Sequence, residues 1–204
     1  GSEMCIRDRD ESEPTEHPNV DREDMIPFDI EKRSPSTDPH PPILHSDEFH
    51  EPVPLPYPIN TAGAEDSAFI LPDGNTLYFF FTPDVRVPPE KQILDDVTGI
   101  YVSYKTGETW SKPERVWLQH PGKLSLDGAV AIQDNEMWFC SAREGNYRGV
   151  DMWTARWDGG AWVDWQNAGS QLNVEFQISE VHLYGDDLYF HSDRPGGKGG
   201  RDIW

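Results

Sequence analysis

Three carboxylates stand at a constant distance from three turns. Counting back seven positions from Asp73, Asp134 and Asp187 arrives at Asp66, Asp127 and Glu180. Each acid opens a short apolar strand, "SAFIL", "GAVAI" or "VHLY". Carboxylates gathered in one cavity raise one another's proton affinity, which can set a general acid apart from a general base. Two chemistries follow from such a set: acid–base hydrolysis, or the capping of strand ends and the holding of a channel cation. His182 and His191 lie on neighbouring strands beside Glu180 and can join the site, although a lone strand histidine is more often simply hydrogen-bonded. Trp153 offers a flat face for a sugar ring, as do Trp110, Trp117, Trp157, Trp162 and Trp165. Most of these recur at fixed places in a repeat, which points to packing between repeated units.

The elements that must position these residues repeat three times. "TLYFFF", "EMWFCS" and "DLYFHS" each follow a polar turn and a short apolar strand, and each precedes a loop and a third strand. Phe139 and Trp153 are fourteen positions apart, as are Phe190 and Trp204. Trp110 lies nine positions beyond Tyr101, and Trp162 nine beyond Trp153. Units of four short strands spaced about 50 to 60 residues apart are the mark of β-propeller blades. The expectation is an all-β fold with blades over about 60–118, 124–168 and 176–204, the last truncated, hence a fragment of about two and two-thirds blades. In such a fold the first strand of each blade lines a central channel, where the three acids would converge. Raw edges at the ends of the array predict self-association. Arg143 and Asp151 are eight positions apart, as are Arg194 and Asp202, which predicts an ion pair bridging the loop in successive blades. The glycines of "GGKGG" read as a tight strand connection, since no helix follows to make a phosphate cradle.

A formal net charge of −20 opposes binding to a nucleic-acid backbone or an anionic membrane, both of which would be repelled. No apolar run approaches the roughly 18 residues of a membrane span. Residues 1–45 are rich in Asp, Glu, Pro, Ser and His and lack apolar periodicity, so they read as disordered or loosely attached. His40, His45 and His50 have no ligand-like spacing on a defined element. The opening "GSEMCIRDR" resembles an adapter-derived peptide, which would empty Cys5 of meaning; the rival is a lipoprotein cysteine before an acidic tether. Cys140, inside "MWFCS", reads as a small buried hydrophobe.

"PDGNTLYF", "SAREGNYRGVDMWTARWDGGAW" and above all "DDLYFHSDRPGGKGGRDIW" resemble the TolB-type, WD-like propeller repeat, from roughly Asn60 to Trp204. That resemblance implies an extracytoplasmic module that binds or scaffolds a protein or carbohydrate ligand, with no cofactor. "SYKTGETW" resembles the hairpin-stabilising Asp-box of sialidases, with Lys105 in the aspartate position. A weaker likeness links "EDSAFILPDGNTLYF" and "SEVHLYGDDLYF" to the five-bladed arabinanase and xylosidase type of inverting glycosidase. It would make Asp66 the base, Asp127 the modulator and Glu180 the acid. Here Ser67 replaces that family's proline after the first acid, and the third motif is one residue short between Glu180 and His182. A binding or scaffold module is the main expectation, and the hydrolase is the alternative.

Overall fold

The computed structural model describes residues 14–204, so the opening peptide and Cys5 lie outside the described residues. The fold is all-β and nearly all antiparallel, with curled sheets that form a half-barrel. In the first sheet, β1 (Ala64–Ile70), β2 (Thr76–Thr82), β3 (Gly99–Thr106) and β4 (Thr109–Trp110) lie in chain order, and β5 (Glu114–Arg115) pairs with β3. The second sheet runs β6 (Ser125–Gln133), β7 (Glu136–Arg143), β8 (Asp151–Trp157) and β9 (Trp162–Asn167). The third contains β10 (Ile178–Tyr184), β11 (Asp187–Ser192) and β12 (Asp202–Ile203). Two single helical turns, α1 (Pro89–Gln92) and α2 (Ser170–Asn173), interrupt the loops.

Aromatic and β-branched residues give β2 its strand character, and burial on both faces explains its near-continuous apolar run. One face packs against the second sheet. There Tyr78, Ile100, Val102 and Leu118 meet Val130, Ile132, Met137, Phe139 and Trp162. Trp162 donates its indole N–H to the Tyr78 hydroxyl across this seam at 3.3 Å. A second seam joins Ala131, Cys140 and Met152 to Ile178, Val181 and Phe190. The first strands of the three sheets are neighbours, because β6 packs against both β1 and β10. Gly128 lets β6 approach β2 as well: a Cβ there would stand 3.1 Å from the Phe80 ring of the first sheet.

The other face of the first sheet buries Ile59, Leu77, Phe79, Phe81, Val97 and Tyr101, with Ile26 packed against them. Arg22, inside the stretch expected to be disordered, is only 2% exposed. The linker reading therefore does not extend to Arg22 and Ile26. Few anchors suffice to hold a polar segment, and bulk composition averages them away.

Candidate functional site

Each first strand contains the same interruption. Pairing with the second strand slips between Asp66 and Phe69, between Gly128 and Ala131, and between Ser179 and His182. At each slip one non-glycine residue is left-handed: Ser67 (φ 48°), Ala129 (φ 51°) and Glu180 (φ 50°). Such a conformation costs about 1 kcal/mol or more for an L-residue. Three bulges at one level re-aim the side chains on the rim of β1, β6 and β10.

Ladder pairing corrects the expected equivalence of the three acids. Asp66 stands opposite Phe80, Asp127 opposite Ser141, and Glu180 on the bulge itself. Asp127 corresponds to Glu65 and Ile178, whereas Asp66 corresponds to Gly128 and Ser179. Unequal turns cause the discrepancy. Pro72–Asn75 is a four-residue loop closed by the Leu71 N–H on the Thr76 carbonyl at 2.9 Å. Asp134–Asn135 and Gly185–Asp186 are two-residue loops. Asp73 and Asp134 thus sit at different places in their turns, and Asp187 is already in a strand.

The environments differ as much as the positions. Asp127 is fully buried. It accepts hydrogen bonds from Ser125 Oγ at 2.7 Å, Ser141 Oγ at 2.7 Å and Arg143 Nη2 at 2.6 Å. Both oxygens of this carboxylate are engaged within the protein, and neither faces solvent. Asp66 and Glu180 are exposed, and Ser67 Oγ donates to Glu180 Oε2 at 3.5 Å, so the rims of β1 and β10 meet beside β6. His182 is exposed and His191 half-buried; they stand opposite Tyr189 and Ser179 respectively. Among the described residues no group of three or more His, Cys, Asp or Glu could hold a metal ion. Trp153 is less available to a sugar than expected. The Arg143 guanidinium lies 4.7 Å from its ring, and its indole N–H is donated to Asn146 at 2.8 Å.

The expected ion pairs across the loops do not form. Arg143 turns to Asp127, while Asp151 accepts the backbone N–H groups of Tyr147 and Arg148 at 2.7 and 3.2 Å and the Asn167 amide at 2.7 Å. In the third sheet Arg194 approaches Ser192 Oγ at 3.4 Å, and Asp202 accepts the N–H groups of Lys198 and Gly199 at 2.9 and 3.0 Å. The acids gather the free amides of their own loops, and stacking on strand aromatics holds the arginines away from them. Gly197 belongs to this arrangement, since a Cβ there would fall 2.0 Å from Asp202.

The concavities lie elsewhere. A groove of about 1070 Å³ between residues 29–38 and the first sheet is lined by Lys32, Asn60, Glu65, Asp84 and Arg86 among others. The sequence singled out none of these. Burial raises the Glu65 carboxyl above the usual range, against the lowering effects of the Thr61 hydrogen bond and of Arg22. No family model, curated protein or solved structure matches this chain.

Proposed function

We propose that the chain is part of a TolB-type β-propeller that acts as an extracytoplasmic binding or scaffold module for a protein or carbohydrate ligand. The observation that carries this reading is the alignment of the first strands of three successive sheets, each bulged at the same place around a left-handed residue. Bulges on the rim of a repeated sheet aim side chains outward, and loops and rims on a rigid scaffold are where ligands are met. Asp66, Ser67, Glu180 and His182 are the polar groups offered there. The outward face of the third sheet, where Tyr189 is 42% and Ile203 71% exposed, is the surface for association with a second copy. That contact would continue the face-to-face stacking already present between the three sheets.

The hydrolase alternative retains Asp66 and Glu180 as exposed carboxylates and loses Asp127 to its ion pair. One experiment separates the two readings. The chain is assayed for turnover of aryl-glycosides and, in parallel, for binding to an oligosaccharide panel, as wild type and as Glu180→Gln. The module predicts no turnover and weakened binding in the variant. Turnover that Glu180→Gln abolishes with folding intact would replace the module by the enzyme.

A further inference from the structure

Arg143 and Arg194 occupy one position of the repeat, four residues after Phe139 and Phe190. Each guanidinium lies over the two aromatics that face one another between the second and third strands. Arg143 is 5.3 Å from Phe139 and 4.7 Å from Trp153; Arg194 is 4.7 Å from Phe190 and 5.4 Å from Trp204. The corresponding pair in the first sheet is Phe79 and Tyr101, also directly opposite. Four residues after Phe79 stands Pro83, which has no cation to offer.

Arg22 occupies the vacant place. Its guanidinium lies 5.3 Å from Phe79 and 5.6 Å from Tyr101, with Phe81 at 4.7 Å. The acid follows the same register. Arg143 pairs with Asp127, opposite the residue two after Phe139; Arg22 pairs at 3.3 Å with Glu65, opposite the residue two after Phe79. Arg143 also donates to the Leu118 carbonyl at 2.7 Å, on the chain leading into β6. Arg22 donates to the Pro58 and Ile59 carbonyls at 2.5 and 2.8 Å, on the chain leading into β1. Rings, carboxylate and entering carbonyls are therefore all reproduced. The origin of the arginine differs, and so does the residue two after the first ring, where Phe81 stacks on Arg22 and Ser141 accepts from Arg143 Nε at 2.6 Å.

We propose that the first sheet carries a guanidinium-binding slot, which this repeat otherwise fills from the end of its own second strand or just beyond it, and which Arg22 fills from outside the sheet. The N-terminal segment is consequently a strap fastened at that slot. Its other attachments follow the same path. His17 stacks on Trp117 with ring centres 4.4 Å apart, Asp21 accepts Lys112, and Asp29 accepts Arg86 at 2.8 Å. A planar cation suits the slot because it stacks on the rings while its N–H groups fan out to a carboxylate and two carbonyls, which a lysine cannot match.

The test returns the arginine to its place in the repeat. In the full chain, Arg22→Ala should cost roughly a few hundredfold to a few thousandfold in the folding equilibrium constant, as a broken buried ion pair does. Pro83→Arg in that background should restore most of the loss. Pro83→Arg alone should leave stability near wild type but compete Arg22 out of the slot. Tryptic cleavage of the Arg22–Glu23 bond, slow in the wild type, should then accelerate severalfold. The proposal is overturned if Arg22→Ala is tolerated, if the double variant is no more stable than Arg22→Ala, or if the Arg22–Glu23 bond stays protected in the Pro83→Arg variant.

Discussion

The first and third sheets solve one electrostatic problem in opposite ways. In the first, the acid of the slot is native to β1 as Glu65, and the arginine arrives from 43 residues away. In the third, Arg194 is native, but Ile178 stands where Glu65 and Asp127 stand in the others. Burial tracks this difference. The Arg22 and Arg143 side chains are 1% and 8% exposed and each has a carboxylate, whereas Arg194 has none and remains partly exposed. A guanidinium taken out of water needs a counter-charge, and one that keeps its hydration can rest on aromatic rings alone. The rings are thus the constant of the repeat, and the charge partner varies with depth.

The largest expected effect comes from breaking the deepest pair. Asp127→Ala leaves Arg143 buried without its carboxylate and the Ser125 hydroxyl without its acceptor, and should cost about 3–5 kcal/mol, read as a fall in the urea midpoint. Arg194→Ala strands no opposite charge and removes the contacts with Phe190, Trp204 and Phe176 and a long hydrogen bond to Ser192. Its cost should be about 1–2 kcal/mol. Equal losses in the two variants would break the comparison, because depth and pairing would then be irrelevant to the slot.

Much of the fold was legible in the sequence, and the acid set was not. The spacings Phe139 to Trp153 and Phe190 to Trp204 reflect cross-strand partners, so they matched regardless of the turns that flank them. The spacing that makes Asp66, Asp127 and Glu180 look equivalent runs through a hairpin turn, and one four-residue turn among two-residue turns shifts the register. In a strand a one-residue slip transfers a side chain to the other face. Asp127 accordingly went inward to Arg143 while Asp66 stayed on the rim. Arg22 was hidden differently. A single buried side chain does not alter the composition of a polar segment, yet a signal existed: the proline at position 83, where the other two units carry arginine.

Alkaline pH sharpens the contrast further, because the slot of the first sheet alone contains a titrating ring. Trp153 and Trp204 hold the place of Tyr101 in the other two sheets. Burial pushes the Tyr101 phenol up to about 12 from 10.0, although the nearby Arg115 and Arg22 guanidinium groups pull it down. Its hydroxyl donates to the Val97 carbonyl at 2.9 Å, a bond that the phenolate cannot make. The unfolded chain releases this proton near pH 10 and the folded chain holds it to about pH 12, so the contribution is complete below pH 10 and declines above it. The Cys140 thiol, raised by burial to about 12 from 9.0, adds a decline of the same sign from the seam between the second and third sheets. Each group contributes a slope of at most about 1.4 kcal/mol per pH unit. Tyr101→Phe should therefore be less stable than wild type at pH 8, through the lost Val97 bond. The gap should narrow by about 1 kcal/mol at pH 11, where the unfolded wild-type chain has already released the phenol proton that the folded chain still holds. Parallel stability–pH curves for the two proteins would mean that the phenol is not held as the slot requires, and that the first sheet differs from the others only in where its arginine originates.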